Sequence, residues 1–150
     1  MSKWPVEPTL FQGNKATDDR GSLGFINGFD LSSFKRFYLV ENHSTHFIRA
    51  WHGHLKEAKA ILVVKGSAIV CAVKMDDPIS PNKSNHLERK VLSSCSPAAF
   101  YIPAGYANGF MTLSDDTQIL VFSSTTLEES QGDDYRFAFD YWNPWEIVPR

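Results

Sequence analysis

The stretch RAWHGHLKEAKAILVVKG, Arg49 to Gly66, concentrates the residues of this chain that could do chemistry. His52 and His54 sit two apart, and on a strand that spacing puts both rings on one face. Such a pair can ligate a metal, move protons, or merely follow strand alternation. A mononuclear metal needs at least three anionic or imidazole donors. Lys59, five residues after His54, does not supply one: an ammonium repels a divalent cation and attracts an anion or a developing oxyanion. Proton transfer suits these types better. A hydrogen next to a ketone is removed by a base of near-neutral pKa, which histidine provides, and the enolate formed needs a fixed positive charge, which Lys59 or Arg49 can give. A guanidinium also grips a diphosphate through two parallel hydrogen bonds.

Short β-branched and aromatic runs must position these residues. FYLVE (37–41), AILVVK (60–65), SAIVCAV (67–73), RKVL (89–92), AFYIP (99–103) and TQILVFSS (117–124) are separated by turn-rich pieces, which predicts an all-β sandwich or barrel with few or no helices. DDRGSLG (18–24), KMDDPISPNKSN (74–85) and EESQGDD (128–134) read as loops, and VVKGSAIV as a hairpin turning at Gly66. At 150 residues the chain reads as one domain, residues 1–150. A formal charge of −2 argues against nucleic acid, and no apolar run is long enough to cross a bilayer. Cys71 and Cys95 imply no disulfide framework, and the N-terminal MSKWPVEPTL has no apolar signal core, so the expected compartment is the cytoplasm.

The histidine stretch resembles the first cupin motif, H-x-H, a spacer, Glu, six residues, Gly; here Lys59 occupies the glutamate position and Gly66 the glycine. The second motif, P-x-G-x-x-H, is matched by Pro103 and Gly105 with Asn108 in place of histidine. Two of four metal positions are therefore changed, and no metal is expected. Within the cupins the chain resembles the sugar-nucleotide enzymes of the dTDP-4-dehydrorhamnose 3,5-epimerase and dTDP-4-keto-6-deoxyglucose 3,4-ketoisomerase types. DDRG (18–21), VENHS (40–44), RAWHGH (49–54), AKAILVVKG (58–66) and YIPAGYANGF (101–110) fall in the order of that family's motifs.

The resemblance implies a jelly-roll barrel, His52 as catalytic base, Lys59 as the enolate-stabilising cation, and Arg20, Asn42 and Arg49 as substrate or phosphate contacts. Tyr106 and Asn108, in the second motif, are further substrate-contact candidates. Two departures bear on the reaction. The epimerases carry a proton-returning tyrosine after their last motif, whereas VFSSTTLEES (121–130) has none. R-x-x-H-x-H matches the ketoisomerases, making His54 a second proton shuttle. Asp140 and Glu41 are the carboxylates available to orient the base, and DYWNPW (140–145) reads as a C-terminal plug or dimer contact.

The expected protein is a homodimeric, metal-independent and cofactor-free isomerase acting on a nucleotide-diphosphate sugar, with surface-polysaccharide biosynthesis as the implied setting. A non-catalytic sugar-nucleotide-binding cupin and a metal-dependent cupin remain the alternatives at this stage.

Overall fold

The computed structural model describes residues 4–150. Along the chain run β1 (Thr9–Gln12), β2 (Asn14–Asp18), β3 (Gly21–Phe25), a 3-10 turn (Leu31–Ser33), β4 (Arg36–Val40), β5 (Ile48–His54), β6 (Lys59–Lys65), β7 (Ser67–Lys74), β8 (Leu87–Ser93), β9 (Ala98–Ile102), β10 (Tyr106–Thr112), β11 (Gln118–Ser123) and β12 (Tyr135–Arg136). They form two antiparallel five-stranded sheets, ordered β1-β9-β6-β11-β4 and β12-β5-β10-β7-β8, with β2 and β3 as a separate hairpin. This is the jelly-roll arrangement, in which inner-face side chains of both sheets share one core. Ile61, Val63, Val70, Phe100, Ile102, Phe110, Ile119 and Val121 fill it.

SAIVCAV is apolar throughout because β7 is covered on both sides. Ala68, Val70 and Ala72 face the core, while Ile69, Cys71 and Val73 pack outward with Trp51, Trp142 and Trp145. The C-terminal DYWNPW segment is thus a plug on the second sheet. The Trp51 indole N–H donates to the carbonyls of Phe139 and Trp142, and Trp51 and Phe137 exchange backbone hydrogen bonds. β12 adds to β5 with Tyr135 opposite Gly53 and Arg136 opposite His52, so the plug also braces the histidine strand.

Two glycines are demanded by geometry. Gly66, at φ +81°, turns the β6–β7 hairpin as expected. At Gly109 a Cβ would lie 2.5 Å from the Ala50 Cβ, at the bulge where the β5–β10 register shifts.

The DDRGSLG stretch is not a loop: it contains the turn and return strand of the β2–β3 hairpin, Asp18 pairing with Gly21. Both strands are almost wholly exposed, so no face is buried and no apolar alternation marks them. The strand runs of the sequence otherwise coincide with β4, β6, β7, β8, β9 and β11, and Cys71 and Cys95 are unpaired.

Candidate active site

One end of the barrel opens into a cavity of about 480 Å³ whose wall includes Arg36, Tyr38, His52, His54, Glu57, Lys59 and Asn108. Strand alternation brings them in. On β5 Trp51 and Gly53 point to the plug, which turns His52 and His54 to the interior. On β6 Lys59 is in phase with the core residues Ile61 and Val63, and on β4 Arg36 and Tyr38 are in phase with Val40. β10 contributes Asn108, opposite His52, whose side-chain amide donates to the His52 carbonyl at 3.1 Å. Ser130, Gln131, Gly132, Asp134 and Arg136 form the rim.

The geometry sets the tautomer of His54. Its Nδ1 lies 2.5 Å from the carbonyl oxygen of Asp133, an acceptor, so Nδ1 carries the hydrogen and donates it. Nε2 is then the basic nitrogen, and it is buried with no hydrogen-bond partner. The Asp133 carboxylate meanwhile accepts from the backbone N–H groups of Leu55, Lys56 and Glu57 at 2.7, 2.9 and 3.1 Å. One residue thereby holds both the His54 ring and the β5–β6 turn that carries Glu57 and leads to Lys59.

Both imidazoles are held neutral. Burial, followed by the positive charges of Lys59 and Arg136, drives the pKa of His52 down to about 4, with Asp134 opposing. His54 is lowered chiefly by burial and then by Lys59, against the Asp133 carbonyl, Glu57 and the Asp133 carboxylate. At neutral pH each ring is therefore a proton acceptor.

A buried carboxylate stands beside the cations. Glu57 accepts from the Thr125 hydroxyl at 3.0 Å and from Arg36 Nη2 at 3.4 Å, and its other oxygen is 3.5 Å from Lys59 Nζ. Lys59 Nζ also sits 6.0 Å from the centre of the Tyr38 ring, over which the Arg36 guanidinium lies at 5.5 Å. Among the described residues no three His, Cys, Asp or Glu side chains are gathered as a metal ion would require.

Of the residues singled out in the sequence, His52, His54, Lys59 and Asn108 meet in this cavity. Arg49 and Asn42 do not line it; they bond each other at the surface, Arg49 Nε donating to Asn42 Oδ1 at 2.7 Å. Arg20 lies on the exposed hairpin, paired with Asp18 at 2.5 Å. Tyr106 lines a different cavity, of about 270 Å³, with Lys74, Asp76 and Glu88. Glu41 is an exposed acceptor for Gln118 and Asp140 is exposed, and neither lines the cavity; the carboxylate whose charge opposes the lowering of the His52 pKa is Asp134 on the rim. Arg36, Tyr38, Glu57, Asp133, Asp134 and Arg136 went unnoticed in the sequence. The R-x-Y-x-V alternation of β4 was a usable signal for two of them, because the residues at 36 and 38 share a face with an apolar one.

Residues 7–139 match the family model described as dTDP-4-dehydrorhamnose 3,5-epimerase. The chain belongs to that family. Its members among solved structures, and ketoisomerases beside them, share this fold. The dTDP-4-dehydrorhamnose 3,5-epimerase from Bacillus anthracis, solved with TDP and PPi bound, superposes with a TM-score of 0.78 at 19% identity, over 96% of this chain and 87% of its own. QdtA, a sugar 3,4-ketoisomerase from Thermoanaerobacterium thermosaccharolyticum in complex with TDP, gives 0.66 at 20%, over 91% and 92%. ChmJ, a 3'-monoepimerase from Streptomyces bikiniensis in complex with dTDP-quinovose, gives 0.73 at 17%, over 95% and 78%. No curated protein matches the chain by sequence. Membership makes this chain an isomerase of the dTDP-sugar epimerase and ketoisomerase group, with the cavity described above as its candidate active site.

Proposed function

We propose that the chain is a metal-independent 3,4-ketoisomerase of a dTDP-linked 4-keto-6-deoxy sugar. The observation that carries this reading is the pair of neutral imidazoles on one wall of the cavity, one with an unpartnered Nε2. The reaction moves two hydrogens. His52 takes the proton from C3, the electron pair moves toward C4, and the O4 anion that develops is met by Lys59. His54 takes the O3 hydroxyl proton at Nε2 and passes it to O4. The resulting enediolate, now charged on O3, collapses to a C3 ketone as His52, its proton exchanged with solvent, protonates C4. Both carbon positions are served from the same wall, which suits retention of one face. The substrate's diphosphate offsets the cations that depress the two imidazoles, and so strengthens them as bases when it binds.

Arg36 and Arg136, on the cavity wall and rim, suit the anionic part of the substrate. Arg49 and Asn42 extend that contact along the surface, Tyr106 is assigned to its more distant end, and Arg20 can join only if a second copy brings its hairpin to this cavity. A homodimer accords with the outward face of β4, where Phe37 and Leu39 are more than half exposed. Surface-polysaccharide biosynthesis in the cytoplasm is the setting we assign.

An epimerase reading has one observation in its favour: Tyr38, on the opposite sheet from the histidines, could return a proton to the other sugar face. Incubation with a dTDP-4-keto-6-deoxyhexose in deuterium oxide, followed by NMR, separates the two. Ketoisomerisation predicts deuterium entering at C4 of a 3-keto product, loss of turnover on His52→Asn or His54→Asn, little effect of Tyr38→Phe, and activity unchanged by chelator. Inversion at C3 or C5 that vanishes in Tyr38→Phe refutes it in favour of the epimerase.

A further inference from the structure

Lys59 can stabilise an oxyanion only if its ammonium is held where the charge develops. A lysine side chain is a four-carbon flexible stem ending in a point charge, and its position must come from a partner. The chain supplies one that the reaction as described does not use. Glu57 is 3% exposed, and a carboxylate so buried persists only when cations and hydrogen bonds surround it. Its partners are Lys59, Arg36 and the Thr125 hydroxyl, so three elements converge on it: β6, β4 and the segment after β11. Its backbone is fixed in turn by Asp133.

We propose that Glu57 is a positioning residue that holds the Lys59 ammonium at the cavity wall in its working geometry. This rests on the reading of Lys59 as the cation facing the developing O4 anion. The 3.5 Å separation from Lys59 Nζ leaves ammonium hydrogens free to turn toward the cavity, while the shorter bond from Thr125 keeps the carboxylate itself from rotating. A carboxylate this close also weakens the field Lys59 exerts on an anion. Positioning and field weakening have opposite signs in kcat, and the assignment requires positioning to win.

The test compares wild type, Glu57→Gln, Lys59→Met and the double variant, assayed for conversion and deuterium incorporation with a dTDP-4-keto-6-deoxyhexose, alongside dTDP affinity and thermal melting. Glu57→Gln is expected to lower kcat on the order of 10²-fold, as loss of one oxyanion-stabilising group does, with KM and dTDP affinity little changed. In the Lys59→Met background the same change should alter kcat by no more than about twofold, because a residue acting through another has nothing left to act on. Thr125→Val, which removes one hydrogen bond and no charge, provides a milder variant should Glu57→Gln melt below the assay temperature, and a several-fold fall in kcat at unchanged KM is expected from it. A Glu57→Gln protein as fast as wild type, or faster, overturns the assignment, as does an equal loss with and without Lys59. A wild-type protein that exchanges no deuterium overturns the functional reading itself and this inference with it.

Discussion

Acidification should destabilise this protein through His52. The ring's pKa lies at about 4 in the fold against an ordinary 6.5 in the unfolded chain, with burial the first cause and the Lys59 and Arg136 charges next. Between those values the unfolded chain binds a proton that the native state does not, so stability rises with pH across that window and is lost as pH falls from about 6.5 to about 4. At 1.36 kcal/mol per pH unit the difference is about 3.4 kcal/mol, and because the ring is only partly buried, solvent screening reduces it to about 2 kcal/mol. His54 is shifted in the same direction and adds to the loss. Urea unfolding of wild type and His52→Asn at pH 7, 5.5 and 4 isolates the His52 share as the difference between the two curves. A histidine proton-resonance titration should place the midpoint of His52 near 4. Equal pH dependence in the two proteins, or a His52 midpoint near that of free imidazole, would show that the cavity does not hold the ring neutral and would remove the basis for its role as proton acceptor.

Two further outcomes follow from the packing. Asp133→Asn replaces a carboxylate that accepts three backbone N–H groups with an amide that keeps one acceptor oxygen, so it should lower stability by about 3 kcal/mol in urea titration and slow exchange at the sugar, since the turn that carries Glu57 loses its anchor while the Asp133 carbonyl still holds the His54 ring. Gly109→Ala puts a methyl group against the Ala50 Cβ and Trp145 where backbone cannot yield, and should cost about 1–3 kcal/mol by the same measurement; a neutral result would mean that the β5–β10 bulge relaxes freely.

Local pattern determined a good deal of this protein. The apolar runs marked six of the strands, because a strand buried on one or both faces must carry β-branched and aromatic residues at the buried positions. His52, His54 and Lys59 were legible as a group because their chemistry is unusual on strands that otherwise carry apolar residues, and because the Glu-to-Lys and His-to-Asn changes fall inside recognisable motifs. Tertiary structure decided which charged groups join them. Glu57, Asp133 and Arg136 sit in polar stretches with no periodicity, and only the antiparallel pairing of β12 with β5 and the reach of Asp133 to the β5–β6 turn bring Glu57 and Arg136 to the cavity and Asp133 behind its wall. Asp140 and Glu41 stay outside the cavity, Glu41 accepting from Gln118 at the surface. Arg20 and Arg49 show the converse limit: a sequence motif specifies which residue stands at a position, but whether its side chain lines the cavity or stays with a neighbour at the surface depends on how the strands pack.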